Sequence, residues 1–536
     1  MTIVSHSSPP PAKQPDVPSP AARLAWLLSG AVCVLAVLAT WKVFWSQDGD
    51  AAVYWVYARS MWQDGPFRFA HAPVSYGATS PAWALVLSLA SLPSGGASIL
   101  AWKLAGALAL LVLAATVWVF ARRLTGSPLE AAGAAALVAL HPGLRLFAVS
   151  SYETPFFAAL VANAALATTL LPSSALRPRT MTYALLSLAV LPLGRPEGLL
   201  VAGGLSAVIL ARHRSIRVAG LLALTLVPFL AFAAWMHGRT GLWVPSSVAA
   251  RQMMSAVGDT YLTPAAPPLV VARGVGLLFD GPPGFRIISL GVQALLVALG
   301  LHALQRTRPA FVWSYVVLGT LLAVGLTLNN PGYYLMRYAM PMLPFAAVAM
   351  VHGAGTLFSR LSPRLRHAAV PVALALGVIT VGGQLYGSVQ AATGPRRAPI
   401  DVLDASGAET LNPLLAPSDV VLTYEVQTAY HLNVRVVSAD GIVGGEILPY
   451  LRTGDLRAFL RDQHITVVLT ATAYEYRSVY RNTLLETLAQ RDATIGVGET
   501  VTIADITFRK IAAQPRPEGS AFWRGAYAVV PVSGGA

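Results

Sequence analysis

The sequence predicts a polytopic α-helical membrane protein with about 11 transmembrane helices, followed by a C-terminal extracytoplasmic α/β domain. Of the 536 residues, 55% are hydrophobic and only 12% are charged, and the mean hydropathy is +0.59. Apolar runs long enough to span a bilayer recur up to residue 388, and the composition then becomes more acidic. These observations exclude an ordinary soluble protein.

The N-terminal residues 1–21 are predicted to be a disordered cytoplasmic tail, because they are rich in Pro and Ser. They lack the pattern of a cleavable signal peptide. The single cysteine, Cys33, lies within the first predicted span. Disulfide bonds and cysteine-ligated metals are therefore excluded.

Residues 22–388 are predicted to form the transmembrane domain. Its predicted spans are 22–45, 98–121, 129–147, 156–172, 181–193, 196–211, 217–236, 286–305, 309–328, 336–357 and 368–388. If the N-terminus is cytoplasmic, five connections face inward and every one of them is basic. They carry Arg122 and Arg123; Arg177 and Arg179; Arg212, Arg214 and Arg217; Arg306 and Arg308; and Arg360, Arg364 and Arg366.

The distribution of charge also indicates which kinds of molecule this protein binds. Before residue 389 the chain has 25 Lys and Arg against 9 Asp and Glu, within a net charge of +14. Because many of the arginines lie in short connections between apolar runs, they form the positive-inside signature of a multi-pass protein of the plasma (inner) membrane. The positive charge is therefore attributed to membrane topology, and membrane lipids rather than nucleic acid are the expected partners.

Two irregular segments are expected on the outer side. The apolar run Pro81 to Pro93 has only about 13 residues, too few for a full crossing, and a crossing there would invert every later span. It is predicted to be a juxtamembrane or re-entrant helix within the first outer loop, residues 46–97. The spans 181–193 and 196–211 are broken at Gly194-Arg195-Pro196, as happens where backbone lines a cavity.

Residues 389–536 are predicted to form the outer α/β domain. They carry 15 of the 24 acidic residues. Strands are expected at Val420–Thr423, Val434–Val437 and Thr466–Thr470, and amphipathic helices at Asp455–Gln463 and Tyr476–Arg491. A hairpin is expected around Gly496–Lys510.

Candidate site residues fall in five polar patches, all on the predicted outer side. The patches are Asp48-Gly49-Asp50 with Tyr57-Ala58-Arg59; Tyr76-Gly-Ala-Thr79-Ser80-Pro81; Ser150-Ser-Tyr-Glu153-Thr154-Pro155; Gly194-Arg195-Pro-Glu197-Gly198; and Tyr333-Tyr-Leu-Met-Arg337-Tyr338. Each patch alone has a structural explanation, such as a helix cap or an interfacial anchor. Together, on one face of a membrane, they indicate a single site.

The order of these patches resembles the bacterial GT-C glycosyltransferases that use polyprenyl-phosphate sugars, especially the mycobacterial terminal arabinofuranosyltransferase branch. That pattern has an acidic pair before Tyr-Ala-Arg, then Gly-x-Thr-Ser-Pro, Ser-Gly-x-Glu-Thr, Arg-Pro-Glu-Gly, a Pro-Asn-Thr…Lys stretch and a late Arg-Tyr. The resemblance covers residues 47–345 and extends to Asp440-Gly441 in the outer domain. It implies a GT-C-like fold and transfer of a hexosyl or pentosyl group to an envelope glycan, lipid or protein acceptor.

The chain departs from the pattern at two places. Aligned on Tyr57-Ala58-Arg59, the acidic pair falls on Gly49-Asp50, so either Asp48 or Asp50 remains a candidate base, and Asp50 is favoured. Pro245-Ser246-Ser247 replaces Pro-Asn-Thr, and Arg251 stands where the pattern has lysine.

The chemistry of such a transfer assigns roles to these residues. An outer-loop carboxylate would take the proton of the acceptor hydroxyl, and Glu153 would orient the acceptor. Arg195 or Arg337 would hold the phosphate leaving group, since guanidinium groups suit phosphate best. Arg337 is the better candidate, because Glu197 lies two residues from Arg195 and competes for it.

The remaining candidates are assigned to substrate binding, and two other functions stay open. Tyr57, Arg59, Thr79, Ser80, Thr154, Glu197, Arg251 and Tyr338 complete the predicted substrate-binding set. No His or Cys spacing predicts a dedicated metal site, and a divalent cation stays open as a cofactor. A transporter or lipid flippase is the main alternative, and a scaffolding membrane protein is another. A transporter would place its charges near mid-membrane, whereas these acids cluster at the outer mouth.

Overall fold

A computed structural model describes Leu27 and residues 49–171, 177–250, 267–277, 286–329, 335–365, 405–424, 426–470, 483–514 and 523–530. The predicted tail 1–21, most of span 22–45, the whole of span 368–388, Asp48 and Arg251 lie outside these residues. The same is true of the side chain of Asp50, although its backbone is described as helical.

The membrane half is a bundle of helices. In chain order these are α1 Gly49–Gln63, α2 Pro81–Ala90, α3 Ile99–Thr125, α4 Pro128–Leu140, α5 Pro142–Val149, α6 Thr154–Leu170, α7 Pro178–Gly194, α8 Gly198–His213, α9 Ile216–Leu224, α10 Val227–Thr240, α11 Pro267–Gly274, α12 Arg286–Gln305, α13 Pro309–Asn329, α14 Leu335–Ala339 and α15 Leu343–Arg360. A large apolar core joins α3, α4, α6, α8, α13 and α15, with α12 packed along α15.

Five of the described helical segments are long and apolar enough to cross a membrane, and a sixth is counted if α4 and α5 form one bent span. The five segments are Ile99–Thr125, Ile216–Thr240, Ile287–Gln305, Pro309–Thr327 and Met336–Arg360. The shorter apolar helices include α6 and α8. The total of 11 spans stays a prediction.

Several predicted spans are less regular than the apolar pattern suggested. The span 129–147 bends by 58° between α4 and α5, at His141. His141 precedes Pro142, and a residue before proline is driven out of the helical region. The span 336–357 is interrupted by a 3₁₀ turn at Met340–Met342, which also contains a proline.

The predicted break between α7 and α8 is present. Arg195 is fully extended, with φ −168° and ψ 155°, because it precedes Pro196. A β-carbon on Gly198 would lie 2.0 Å from the Leu191 carbonyl oxygen, so only glycine fits where α8 starts beside α7. The break therefore follows from the motif's proline and its final glycine.

The first outer loop contains α1 and α2. Helix α2 covers the apolar run that is too short to cross the membrane, and it continues into a 3₁₀ turn at Leu92–Ser94. Trp83 and Trp102 are fully buried and bind this loop to the bundle. The Trp83 indole nitrogen donates to Ser151 O at 2.8 Å, and the Trp102 indole nitrogen donates to Leu87 O at 2.9 Å.

The C-terminal domain is a mixed sheet with short helices. Its elements are α16 Ala405–Leu411, β1 Val420–Thr423, β2 Arg435–Ser438, α17 Leu448–Thr453, α18 Leu456–Asp462, β3 Val467–Leu469, α19 Thr483–Arg491, β4 Thr500–Ile503, β5 Ile506–Ala513 and β6 Gly525–Val530. The strand order is β2-β1-β3-β6-β5-β4. Strands β2, β1 and β3 are parallel, and β6, β5 and β4 are antiparallel.

The predicted strands are confirmed, with the second shifted to Arg435–Ser438, and so is the hairpin, which is β4 and β5. The helix expected at Asp455–Gln463 is α18. Of the helix expected at Tyr476–Arg491, the described part is α19. Residues 389–404 lie outside the described part, so the boundary at 389 stays a prediction.

One apolar core joins the outer loop to the C-terminal domain. Trp55 and Tyr57 of α1 share this core with Tyr430, Val436 and Trp523. The edge strand β2 also accepts the outer loop, because Val436 N donates to Ala70 O at 3.1 Å. The two parts are therefore packed together at the mouth of the bundle.

Candidate active site

Three helices begin at one place at the predicted outer end of the bundle. Glu153 and Glu197 are the N-cap residues of α6 and α8, and Ser80 is the N-cap residue of α2. The start of α2 reaches α6 through Trp83, whose ring lies 5.1 Å from that of Phe156. Helix N-termini carry partial positive charge, so this place favours anions such as the carboxylates of Glu153 and Glu197, although neither side chain accepts a capping hydrogen bond from its own helix.

Glu153 is the centre of the site. Its side chain is completely buried. Arg337 Nη2 donates to both carboxylate oxygens, at 2.8 and 3.0 Å, and Arg337 Nε donates to Oε1 at 3.2 Å. Arg195 Nη1 also donates to Glu153 Oε1. One carboxylate thus binds two guanidinium groups that are 184 and 42 residues away in sequence.

Arg195 is held by a second carboxylate. Its Nε donates to Glu197 Oε2 at 3.1 Å, and its Nη2 donates to Glu197 Oε1 at 3.2 Å, which is a bidentate fork. Each guanidinium also lies over an aromatic ring: Arg195 is 4.7 Å from the Tyr338 centroid, and Arg337 is 4.5 Å from the Tyr152 centroid. Cation–π contact adds to the binding of both groups. We call Glu153, Arg195, Glu197 and Arg337 the Glu153 cluster.

The Glu153 cluster balances its own charge, with two carboxylates and two guanidinium groups. Burial would raise the pKa of Glu153, but Arg337 and Arg195 outweigh that effect and hold the pKa below the usual glutamate value. Burial would likewise lower the pKa of Arg195, but Glu197 and Glu153 raise it instead. Glu153 and Arg195 are thus charged at neutral pH, and these buried ions are stable because they are paired.

Helix α1 connects this cluster to the first outer loop. The Tyr54 hydroxyl is buried and lies 2.7 Å from Thr79 Oγ1. Burial, followed by the charge of Glu153, raises the pKa of Tyr54, so the phenol stays protonated. Asp50 is the second residue of α1, one turn before Tyr54. Asp50, which the sequence predicts as the base, therefore lies on the helix that reaches the cluster.

Buried hydroxyl groups surround the same place. Ser80, Ser151 and Thr154 are almost completely buried, and their side-chain oxygens have no hydrogen-bond partner among the described residues. Ser151 also has a left-handed backbone, with φ +62°, a strained conformation for a residue other than glycine. Unpartnered buried hydroxyls can bind a polar ligand, because the free-energy cost of removing them from water was already met when the protein folded.

Tyr57 faces the C-terminal domain. Its hydroxyl lies 2.5 Å from Ser75 Oγ, accepts from Gly77 N at 3.0 Å and lies 3.2 Å from Val443 O, to which it can donate. Burial is the main cause that raises the pKa of Tyr57. Tyr57 therefore connects the second patch to the outer domain.

The structure brings together most of the predicted site residues. Glu153, Thr154, Arg195, Glu197, Arg337 and Tyr338 lie in or against the Glu153 cluster, with Thr79 and Ser80 beside it. Arg59 stands apart, because its Nε donates to Gln63 and its guanidinium lies 5.1 Å from the Tyr430 ring. Asp48, Arg251 and the Asp50 side chain lie outside the described part.

Sequence reasoning overlooked Tyr54, Tyr152 and Ser246. Tyr54 carried a usable signal, since it lies one turn from both Asp50 and Tyr57 on a helix. Tyr152 belongs to the third patch but was not assigned a role. Ser246 N donates to Tyr76 O and Ser246 Oγ donates to Ile442 O, both at 2.8 Å. That contact joins segments far apart in sequence, so no local pattern could indicate it.

Two further features describe the surroundings. Next to the cluster, an apolar cavity of about 110 Å³ is lined by Thr79, Pro196, Leu199, Phe232, Trp243 and others. Within the described residues, no three His, Cys, Asp or Glu side chains come together as a metal-binding group.

Solved structures share this fold. ArnT from Cupriavidus metallidurans bound to undecaprenyl phosphate matches with a TM-score of 0.57 at 14% identity, over 96% of this chain and all (100%) of ArnT. Its apo state matches with a TM-score of 0.55 at 15% identity, over 95% and 98% of the two chains. The apo oligosaccharyltransferase of Archaeoglobus fulgidus matches with a TM-score of 0.50 at 14% identity, over 86% and 71%.

No family model and no curated protein matches the sequence. The identities to the solved structures are low, so these matches establish the fold alone. The chain has a GT-C fold with a C-terminal mixed-sheet domain.

Proposed function

We propose that this protein is a membrane glycosyltransferase that moves a sugar from a polyprenyl-phosphate donor to an envelope glycan, lipid or protein acceptor. The observation that carries the proposal is the Glu153 cluster: two buried guanidinium groups at a break between two helices, where three helix N-termini meet. This is the combination that suits a phosphate group partly removed from water.

Arg195 and Arg337 act on the donor phosphate. Each guanidinium has five N–H donors, so a group bound to a carboxylate can still donate to a phosphate. Glu153 and Glu197 hold the two planar groups in place before the donor arrives, which lowers the entropic cost of binding. The role proposed for Glu153 is therefore to position the arginines. This role replaces orientation of the acceptor, which the sequence predicted for Glu153.

The transfer needs no reactant besides the donor and the acceptor. Asp50, or Asp48, takes the proton from the acceptor hydroxyl, and that oxygen forms a bond to the anomeric carbon of the donor sugar. The bond from the anomeric carbon to the phosphate oxygen breaks, and polyprenyl phosphate leaves with the bonding electrons. Arg195 and Arg337 stabilise the charge that develops on the leaving phosphate.

The end of the lipid chain next to the phosphate is assigned to the apolar cavity. The cavity is lined by Pro196 of the helix break and by Phe232 and Trp243. Trp243 and Leu230 are exposed beside it, at 59% and 57%, as expected for residues that face lipid. An isoprenoid chain entering from the membrane would thus reach the phosphate site from its apolar side.

The fold supports the same donor class. The ArnT structure with this fold is described as bound to undecaprenyl phosphate. The motif order of residues 47–345 favours the mycobacterial terminal arabinofuranosyltransferase branch and hence a pentose, although a hexose fits the same chemistry. The arginine-rich connections favour a cytoplasmic N-terminus and, with 11 spans, an outer C-terminal domain.

The proposal is tested with purified full-length protein and a panel of polyprenyl-phosphate pentoses and hexoses. We expect at least one donor to release polyprenyl phosphate, faster when neutral octyl glycosides are present as acceptors. Mg²⁺ and EDTA arms establish whether a divalent cation assists. Absence of release from every donor, with or without cation and acceptor, would refute the proposed function.

A further inference from the structure

A loop of the C-terminal domain, residues 440–447, reaches the membrane half next to the proposed site. It follows the carboxyl end of the parallel strand β2, a position where open sheets commonly bind ligands. Val443 O lies 3.2 Å from the Tyr57 hydroxyl, and Ser246 Oγ donates to Ile442 O at 2.8 Å. A β-carbon on Gly77 would lie 2.1 Å from Val443 O.

The 440–447 loop has a defined shape. Asp440 Oδ1 accepts hydrogen bonds from Ile442 N, at 2.9 Å, and from Ser438 Oγ. Gly441 has φ +69°, and a β-carbon there would lie 2.5 Å from Leu448. A β-carbon on Gly444 would lie 2.1 Å from Glu446 Oε2. The missing side chain at residue 444 therefore makes room for the Glu446 carboxylate.

The Glu446 side chain is half-buried in this loop. Its Oε2 atom is buried and has no hydrogen-bond partner among the described residues. Ser247 follows Ser246 on the membrane-half side of this contact and is also buried. Its hydroxyl has no hydrogen-bond partner among the described residues. A buried carboxylate oxygen without a donor is costly, so its presence at this contact calls for a ligand that supplies one.

The loop and the Glu153 cluster are close enough to act on one bound molecule. The loop contacts Gly77, and Thr79 contacts Tyr54 beside the cluster. Two residues of chain span at most about 7 Å. On α1, Tyr54 and Tyr57 are three residues apart, a rise of about 4.5 Å. The 440–447 loop therefore borders the site on its outer-domain side.

The charge of Glu446 selects the kind of ligand. A second negative charge would repel the donor phosphate, whereas a carboxylate oxygen is a strong acceptor for neutral hydroxyl groups. We propose that Glu446 accepts hydrogen bonds from hydroxyl groups of the glycosyl acceptor, so that the C-terminal domain selects a neutral, polyhydroxylated acceptor. This inference rests on the proposed function and adds the residue that binds the second substrate.

The test compares two reactions of the purified full-length protein. One is transfer to a neutral octyl glycoside, and the other is hydrolysis of the polyprenyl-phosphate sugar with water as the only acceptor. In Glu446→Gln we expect the KM for the glycoside to rise about 10-fold or more, since a charged hydrogen bond is lost. Hydrolysis should stay within about twofold of wild type, because the donor site is unchanged.

Two further variants sharpen the test. Gly444→Ala keeps the charge but displaces the carboxylate, so it should show the same defect toward the glycoside. Its backbone, at φ −124° and ψ 130°, accepts alanine without strain. Glu409→Gln, an exposed position on α16 of the same domain, is the matched control and should behave as wild type.

The outcomes separate this inference from the proposed function. The melting temperature of Glu446→Gln should not fall, because the substitution neutralises a carboxylate whose buried Oε2 atom has no hydrogen-bond partner among the described residues. An unchanged KM for the glycoside would overturn the inference, as would parallel loss of transfer and hydrolysis or a lowered melting temperature. A wild-type protein inert in both reactions with every donor would instead refute the proposed function, on which the inference depends.

Discussion

At the scale of single residues, Glu153 shows how a buried acid can be stabilised and used. Its carboxylate is completely buried, and it stays ionised only because Arg195 and Arg337 donate to it. The same contact fixes the two guanidinium groups relative to each other. Stability and, in the proposed function, donor binding therefore depend on one carboxylate.

The first prediction concerns Glu153 and pH. Because its folded pKa is depressed, its contribution to stability is present above the unfolded pKa of about 4.3 and is lost as the pH falls through the folded pKa. At pH 7, Glu153→Gln should lower the unfolding free energy by about 3–5 kcal/mol. The deficit should shrink as the pH falls below the usual glutamate range, as measured by thermal unfolding in detergent. A deficit that does not change down to low pH would contradict the ion-pair account.

The second prediction concerns the base. Asp50→Asn should abolish transfer while leaving expression and melting temperature unchanged, because an amide keeps the shape of the side chain but cannot take a proton at neutral pH. The matched variant is Asp48→Asn. If Asp48→Asn is inactive and Asp50→Asn is active, the base is Asp48; if both are active, neither is the base.

The sequence indicated these residues better than it indicated their contacts. Glu153, Arg195, Glu197 and Arg337 were each predicted from motifs, and they do come together. Glu197 was expected to compete for Arg195 and to leave Arg337 as the better phosphate ligand, yet Glu153 binds both arginines. That sharing depends on where α6 and α14 meet, and no local pattern encodes such a meeting.

At the scale of elements, the break between α7 and α8 determines where the Glu153 cluster forms. Pro196 forces Arg195 into an extended conformation, and Gly198 allows α8 to begin against α7. The sequence predicted this break because proline and glycine act locally. The bend at His141 was missed, although Pro142 was present, because the apolar run continues across it.

The third prediction is that Gly198→Ala destabilises the protein by about 2–3 kcal/mol or more, since a β-carbon would lie 2.0 Å from the Leu191 carbonyl oxygen. Gly203→Ala in the same helix is the matched control, because its β-carbon would meet nothing within 4 Å. It should be neutral or stabilising by up to about 1 kcal/mol. Equal melting temperatures for the two variants would contradict the close approach of α7 and α8.

At the scale of the whole molecule, the membrane half and the C-terminal domain meet at the mouth of the bundle. Apolar periodicity predicted the helical bundle, and alternating short strands and helices predicted the outer domain. Neither pattern predicted that α1 and the sheet would share one core around Trp55 and Trp523. Such contacts join residues more than 400 positions apart, so they follow from the fold rather than from local sequence.

The fourth prediction concerns orientation. In a Cys33→Ser background, Ser406→Cys on the exposed face of α16 should react with a membrane-impermeant maleimide in intact cells. The positive-inside rule predicts this result, because arginine-rich inner connections and 11 spans would put the C-terminal domain outside. Labelling that appears only after permeabilisation would contradict this orientation and the location of the site on the outer face.

The most direct test of the central claim, that the Glu153 cluster binds a lipid phosphate, is a binding measurement. Purified protein is titrated with undecaprenyl phosphate and, separately, with undecaprenol, and binding is followed by native mass spectrometry. Wild type should prefer the phosphate. Arg337→Ala should weaken phosphate binding by roughly 30- to 150-fold, or about 2–3 kcal/mol, with partial recovery in Arg337→Lys. Arg360→Ala, at the exposed inner end of α15, should bind as wild type does. Equal affinity for the two lipids, or unchanged phosphate binding in a folded Arg337→Ala protein, would contradict the account.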